Sequence, residues 1–288
     1  MAGPFEGPFQ GSIEREAILA RIAAHPIEGG PEARRRAFAE LVLGDHAPGT
    51  PYDSISIAGE GGTIVYLHGG GYAFGSPRSH ERIGAALAEA TGLGVVLPVY
   101  PLAPEHPWPV QLEAAVATVE EADGPVVLAG DSAGGHLALV TALELGRRGV
   151  DVAGVILFSP NTDRSGLSST RARNEASDPM VDDEGDTELA RQCFGDLPLD
   201  DLEVSPLLAD LGSLPPLLLE VGRDEVLLDD SLLLAEAARA AGVPVTLHVE
   251  PEGLHMMQLW APWWDVAAAS LERAATFASE VTGARRRA

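Results

Sequence analysis

The spacing of apolar residues divides the chain into three parts. Over residues 13–43, apolar positions recur at helical spacing and are interrupted once by "HPIEGGP", which predicts two helices. Residues 51–160 and 214–288 instead alternate short apolar runs with amphipathic segments. Residues 161–213 break this alternation, because they are acidic and polar and contain one short helical pattern near "EGDTELARQCFG".

The alternating parts predict an α/β domain. Strands that alternate with helices form a mostly parallel sheet covered by helices on both faces. The predicted strands are "YDSISIA", "TIVYLHGG", "GVVLPVYP", "PVVLAG", "VAGVILFSP", "PPLLLEVG" and "VTLHVEP". We therefore expect one compact core of residues 51–160 and 214–288. Residues 1–50 are expected to form an N-terminal helical cap segment, and residues 161–213 a cap insertion.

Composition and charge exclude several classes of protein. The formal net charge of the 288 residues is −24, and all 19 basic residues are arginine, which disfavours nucleic acid or an anionic membrane as a partner. No signal-peptide pattern and no run of eighteen apolar residues occurs, so we expect a cytoplasmic protein without a membrane span. The single cysteine, Cys193, excludes an internal disulfide. No metal-ligand motif is present, so we expect no metal.

The stretch "GDSAGG", Gly130 to Gly135, follows an apolar strand and precedes a helical pattern. This strand–turn–helix context is the one in which Gly-x-Ser-x-Gly forms a sharp turn that exposes the serine hydroxyl as a nucleophile. We predict that Ser132 is the nucleophile. A tight turn with a serine cap, or a phosphate-binding glycine loop, is the alternative interpretation.

A second glycine-rich stretch, "LHGGGYAFGS", also follows a strand directly. Consecutive glycines leave backbone N–H groups approachable, and such donors can bind the negative oxygen of a tetrahedral intermediate. We predict that Gly70 and Gly71, together with the N–H of Ala133, form an oxyanion hole. His68 is expected to support this loop by hydrogen bonding.

The candidate general base and the candidate acid lie near the end of the chain. His255 follows the last predicted strand, where the chain order Ser…acid…His places a general base. The acid should emerge just after the strand "PPLLLEVG", which leaves Asp224 and Glu225 as the candidates. Asp229 and Asp230 are interpreted as charges at the start of the next helix.

Four stretches together resemble the bacterial hormone-sensitive-lipase family of α/β-hydrolases: "HGGGY", "VYPLAPEHPWP", "GDSAGG" and a late "GLH", in that order. The resemblance runs from about Gly62 to Met257. The segment that contains "SDPMVDDEG" is most similar to small carboxylesterases and terpene-lactone hydrolases. Pro101 stands where the family usually has arginine, and only one strand precedes "TIVYLHGG" where the family often has an antiparallel pair.

The resemblance implies an α/β-hydrolase fold with about eight strands and a helical cap. It implies hydrolysis of short- or medium-chain carboxylic esters through an acyl-enzyme, with no cofactor. The family's acid motif, laid on this sequence without gaps, falls on Glu225, with Asp224 as the alternative. The implied catalytic residues are therefore Ser132, Glu225 and His255.

Rival functions share parts of this pattern. A lactone hydrolase or a deacetylase could use the same three residues, so the expected partner is a small-molecule ester or lactone. A non-catalytic ligand-binding member of the fold is disfavoured by the presence of His255. A nucleotide-binding P-loop is excluded because the chain has no lysine. The oligomeric state is left open, with a homodimer as one alternative.

Overall fold

The computed structural model describes residues 8–9, 11–44 and 53–284, and within these ranges helices and strands follow the predicted order, with one additional short helix at Thr170–Arg173. The strands are β1 (Ile55–Ile57), β2 (Thr63–Leu67), β3 (Gly94–Leu97), β4 (Val126–Asp131), β5 (Gly154–Phe158), β6 (Leu217–Gly222) and β7 (Val245–Glu250). The helices are α1 (Arg15–Ala24), α2 (Pro31–Leu43), α3 (Pro77–Thr91), α4 (Val110–Glu120), α5 (Ala133–Arg147), α6 (Thr170–Arg173), α7 (Asp183–Phe194), α8 (Leu228–Ala240) and α9 (Asp265–Thr282).

The strands form a single sheet in the order β1-β3-β2-β4-β5-β6-β7. Every pairing is parallel except that of β1 with β3, which is antiparallel. The predicted α/β-hydrolase architecture is therefore confirmed. The sheet has seven strands in the described part of the chain instead of about eight, because a single strand precedes β2 there.

The two faces of the sheet build two hydrophobic cores. Successive side chains of a strand point to opposite faces. In β2, Val65 and Leu67 accordingly join the core that contains α4, α5 and α8, while Ile64 and Tyr66 join the core that contains α1, α2, α3 and α9. Central strands such as β4 are buried along their whole length, which explains their uninterrupted apolar sequences.

The N-terminal helices pack on the second of these cores. Ile18 and Phe38 are fully buried within it, and the backbone N–H of Ile13 donates to Trp263 O at 2.8 Å. The ring of Phe9 lies against those of Trp260 and Trp263, with centroids 6.1 and 6.0 Å apart. No helix within the described ranges is long and apolar enough to cross a membrane.

A buried ionic cluster ties the insertion to the sheet domain. Arg171, in the short helix α6, donates to Asp186 of α7 at 3.0 Å and to Asp230 of α8 at 3.0 Å. Asp230 Oδ1 also accepts from the backbone N–H groups of Thr162 and Asp163 at 2.8 and 2.9 Å. Asp230 therefore does more than place a charge at the start of a helix, because it joins α8 to α6 and to the backbone that follows β5.

Removing the central cation should destabilise the fold. Arg171→Ala leaves Asp230 buried without a positive partner and Asp186 with Arg164 alone, and an unpaired buried charge typically costs about 3–5 kcal/mol. We expect a clear drop in the urea midpoint at neutral pH. Arg173→Ala is the matched control, because that side chain is 62% exposed and lies 4.0 Å from Asp229. Equal midpoints for the two variants would contradict a stabilising role for the cluster.

Candidate active site

Ser132 occupies a strained turn between β4 and α5, with φ 53° and ψ −120°. The turn depends on close backbone contacts that only glycine permits. A β-carbon at Gly134 would overlap the carbonyl oxygen of Leu67, and one at Gly130 would overlap that of Gly134. The serine is thereby held at the carboxyl end of the sheet, as a nucleophile elbow requires.

The residue before the serine joins this turn to the glycine run. Asp131 Oδ1 accepts from Tyr66 Oη at 2.8 Å and from the backbone N–H of Gly69 at 3.1 Å. Its Oδ2 lies 3.2 Å from His80 Nε2. Burial alone would raise the pKa of Asp131, but His80 and the Tyr66 hydroxyl outweigh burial and lower it. No sequence pattern indicated a role for Asp131, Tyr66 or His80.

The glycine run places the predicted oxyanion donors beside the serine turn. Leu67 pairs with Gly130 in the sheet register, so the glycine run leaves β2 beside the serine turn. Gly70 and Gly71 adopt φ values of 116° and 57°. Within residues 8–9, 11–44 and 53–284, no acceptor is hydrogen-bonded to the N–H of Gly70, Gly71 or Ala133. These groups can therefore bind an incoming oxyanion.

His68 supports the glycine run from behind. Its Nδ1 lies 2.9 Å from Gly69 O and 3.1 Å from the hydroxyl of Tyr100, whose ring stacks on the imidazole at 4.3 Å. Burial, reinforced by the neighbouring His80, lowers the pKa of His68 to about 3. The imidazole is neutral at ordinary pH, which suits a supporting role and not proton transfer.

The structure brings Glu225, and not Asp224, to His255. Glu225 Oε2 lies 3.0 Å from His255 Nδ1, and both side chains are buried. The other carboxylate oxygen accepts from Ser159 Oγ at 2.9 Å and from the N–H of Gly222 at 2.5 Å. A β-carbon at Gly222 would lie 2.6 Å from the backbone carbonyl oxygen of Gly253, so glycine is needed there. Asp224 is exposed to solvent.

The electrostatics of this pair favour a protonatable imidazole. Burial lowers the pKa of His255, but the hydrogen bond and charge of Glu225 outweigh burial, so that the pKa is raised from 6.5. Asp178 and Asp131 add to the increase. An imidazole that gains a proton readily and is fixed at Nδ1 is suited to general-base work at Nε2.

The insertion covers the glycine run. A β-carbon at Gly71 would overlap the side chain of Leu189, which lies on α7. The helix α7 therefore forms part of the wall above the predicted oxyanion hole. The described ranges contain no cluster of three or more His, Cys, Asp or Glu side chains arranged to hold a metal ion.

Comparisons with known proteins agree with this geometry. A family model described as alpha/beta hydrolase fold matches residues 64–259. The chain belongs to this family. An acetyl-hydrolase of Streptomyces hygroscopicus is 37% identical over 78% of this chain and 77% of its own length. An esterase of Acinetobacter venetianus is 32% identical over 76% of this chain and 75% of its own length.

A solved structure indicates which branch of the α/β-hydrolases this chain resembles. The crystal structure of an esterase from the bacterial hormone-sensitive-lipase family superposes with a TM-score of 0.84 at 29% identity. The match covers 98% of this chain and 100% of the other. The resemblance inferred from the sequence motifs is therefore confirmed, and this α/β-hydrolase is a member of the hormone-sensitive-lipase family.

Substitution of Glu225 and of Asp224 tests which of the two carboxylates is the acid paired with His255. Glu225→Gln should reduce kcat on a short-chain ester by roughly 10⁴, because the imidazole loses the carboxylate that orients it and stabilises its charged form. Asp224→Asn is the matched control and should retain nearly full kcat, since that carboxylate is exposed. The reverse ranking of the two kcat values would move the acid to Asp224.

Proposed function

We propose that this α/β-hydrolase is a carboxylesterase that cleaves short- to medium-chain esters through an acyl-enzyme at Ser132. The observation that carries the proposal is the buried contact of 3.0 Å between His255 Nδ1 and Glu225 Oε2. It occurs in a fold that also provides a serine at a strained turn and, beside it, backbone N–H donors that have no acceptor in the described part of the chain. The acetyl-hydrolase and esterase names of the relatives support the same activity.

Acylation uses the three side chains in sequence. Ser132 Oγ attacks the ester carbonyl carbon while His255 Nε2 accepts its proton, and Glu225 stabilises the resulting imidazolium. The tetrahedral intermediate then collapses, the bond to the alcohol breaks, and His255 returns the proton to the leaving oxygen. A water activated by the same imidazole cleaves the acyl-enzyme and releases the acid.

The N–H groups of Gly70, Gly71 and Ala133 bind the oxyanion in both halves of the reaction. Loss of a single oxyanion donor typically costs ~10²–10³ in rate. Because these donors come from the backbone, their position depends on the contacts that hold the loop. Asp131 binds Gly69 at 3.1 Å and immediately precedes the nucleophile, so one carboxylate aligns the donors with Ser132.

The cap sets the acyl length that the site accepts. In our proposal it consists of residues 1–50 and 161–213, with Leu189 above the glycine run and the segment around Met180 in the acyl-pocket wall. Met180 packs on the same core as Phe9. The proposal also assigns the segment Phe5–Gly11 to this wall, and positions 5–7 and 10 of that segment lie outside the described residues. The acetyl-hydrolase name of one relative favours short acyl chains.

Replacing the nucleophile tests the activity directly. Ser132→Ala should abolish hydrolysis of every member of a panel of p-nitrophenyl esters from acetate to palmitate, while the circular dichroism spectrum stays unchanged. Ser213→Ala, at an exposed turn, is the matched control. Substantial turnover by a folded Ser132→Ala protein would exclude the proposed nucleophile. Faster turnover of a lactone than of any ester would make the protein a lactone hydrolase.

The pKa of His255 predicts the acidic side of the pH profile. Only the neutral imidazole can accept the proton of Ser132, and its pKa in the folded protein is raised above 6.5. The value of kcat/KM for p-nitrophenyl butyrate should therefore fall as the pH drops, with a midpoint above pH 6.5. An acidic midpoint well below pH 6 would contradict the assignment of His255 as a base paired with Glu225.

A further inference from the structure

The first part of the insertion wraps around the loop that carries Glu225. We call residues 169–178 the acid-loop clamp, and residues 223–229 the acid loop. The two segments are joined by side-chain hydrogen bonds to the backbone of the acid loop. The clamp includes α6 and the turn that follows it, and precedes α7.

Two side chains of the clamp contact carbonyl groups of the acid loop. Asn174 Nδ2 donates to the carbonyl oxygen of Glu225 at 2.9 Å and to that of Arg223 at 3.4 Å. Ser177 Oγ lies 2.9 Å from the carbonyl oxygen of Asp224 and 2.9 Å from that of Asn174, and its hydroxyl can donate to either. Three successive carbonyl groups, including that of Glu225 itself, are thus contacted from one segment.

A carboxylate of the clamp holds the next N–H group. Asp178 Oδ2 accepts from the backbone N–H of Val226 at 2.9 Å. Its Oδ1 accepts from the N–H groups of Met180 and Val181 at 2.9 and 3.1 Å, which fixes the carboxylate in place. The peptide groups on both sides of Glu225 Cα are consequently in contact with the clamp, one through the N–H of Val226 and the other through the carbonyl of Asp224.

The far end of the acid loop is fixed in the same way. Thr170 Oγ1 donates to the carbonyl oxygen of Val226 at 2.9 Å and accepts from the N–H of Asp229 at 2.8 Å. Asp229 Oδ2 in turn accepts from Ser169 Oγ at 2.6 Å. Clamp and acid loop therefore exchange hydrogen bonds in both directions.

The acid loop has little internal support for its shape. Its own backbone turns are closed by long hydrogen bonds, from Glu225 N to Gly222 O at 3.4 Å and from Leu228 N to Glu225 O at 3.3 Å. Backbone hydrogen bonds in proteins are commonest near 2.9–3.0 Å, so these two are weak. The start of the loop is held by Arg223 N–H, which donates to Glu250 O of β7 at 3.0 Å, and the shorter bonds from the clamp hold the backbone at and just after Glu225.

We propose that the acid-loop clamp positions the carboxylate of Glu225 against His255, with Asn174 and Asp178 as positioning residues for ester hydrolysis. This inference rests on the proposed function and adds to it a role for the insertion. The segment after β5 covers the substrate and also aligns the acid of the triad. A misplacement of about 1 Å in such a group can cost about 10²-fold in rate.

Asp178 has a second effect through its charge. The carboxylates that face His255 are Glu225 in the acid loop, Asp178 in the clamp and Asp131 at the end of β4, and all three raise the pKa of the imidazole against the effect of burial. The partly buried Asp178 therefore helps to stabilise the imidazolium that forms when Ser132 attacks. Asn174 acts on the backbone alone, so the two residues give different signatures when they are replaced.

The insertion has an independent attachment, which makes the inference testable. Arg171 binds Asp186 and Asp230 in the buried cluster, and neither of these contacts involves Asn174 or Asp178. Variants at the two positioning residues should therefore keep the insertion folded. Thermal unfolding of each variant checks that its midpoint stays close to that of the wild type.

The experiment compares Asn174→Ala and Asp178→Asn with Glu175→Gln, each assayed with p-nitrophenyl butyrate. Glu175 is exposed in the same segment, and its carboxylate makes no hydrogen bond to the acid loop among the described residues. We expect kcat to fall about 10- to 100-fold in the two clamp variants with little change in KM. The control should match the wild type. The acidic midpoint of kcat/KM should move to lower pH in Asp178→Asn.

The pKa of His255 can be measured without turnover, which gives a second test. In the Ser132→Ala background, the pKa of His255 can be followed by NMR of labelled histidine, and Asp178→Asn should lower it while Glu175→Gln leaves it unchanged. Wild-type kcat in both clamp variants, together with an unchanged pKa of His255, would overturn the proposed clamp. A wild-type protein without any ester hydrolysis would instead overturn the proposed function, and the NMR titration would still report on the clamp.

Discussion

The geometry of this site depends on one constraint, the positive φ of Ser132 at the turn between β4 and α5. A serine in this conformation is strained, and the turn persists because the backbone around it is packed too closely for any side chain at Gly130 or Gly134. The contact of Gly134 with the carbonyl of Leu67 fixes α5 against the end of β2. The glycine run starts at that same end, so the nucleophile and the oxyanion donors share one rigid support.

Buried carboxylates connect this support to the rest of the triad. Asp131 and Glu225 are each about 1% exposed, and a buried carboxylate is tolerated only when donors satisfy it. Asp131 forms hydrogen bonds with Tyr66, Gly69 and His80. Glu225 forms hydrogen bonds with Ser159, Gly222 and His255. Glu225 thus accepts from groups at or after the ends of β5, β6 and β7, and Asp131 accepts from the end of β2 and from α3. This arrangement orders the carboxyl edge of the sheet where the reaction takes place.

The parts that could be predicted from the sequence are those with a local cause. Apolar periodicity located the helices and strands, because burial on one face of a helix or within a sheet leaves a regular pattern. The glycines around Ser132 and after Leu67 mark turns whose requirements are also local. Strand spacing alone left Asp224 and Glu225 open as the acid, and the family resemblance selected the residue that the structure places against His255.

The parts that escaped prediction depend on contacts between distant segments. Tyr66 and His80 contact Asp131 although they are 65 and 51 residues away in the sequence. Asp178 and Val226, which are hydrogen-bonded, are 48 residues apart. Such pairs leave no periodic signal. The helix α6 is four residues long, too short for an apolar repeat to be recognised. The insertion was predicted from its polar composition only as a cap, whereas its hydrogen bonds to the acid loop appear only in three dimensions.

Covalent labelling shows whether Ser132 is an activated nucleophile. Phenylmethylsulfonyl fluoride reacts with an activated serine, which displaces fluoride and becomes sulfonylated at Oγ. Intact-mass and peptide mass spectrometry of the inactivated protein should show one sulfonyl group per chain, located at Ser132. The Glu225→Gln protein should be labelled far more slowly. A stoichiometric label at any other residue, or equally fast labelling when Glu225 is replaced, would contradict a serine activated by the His255–Glu225 pair.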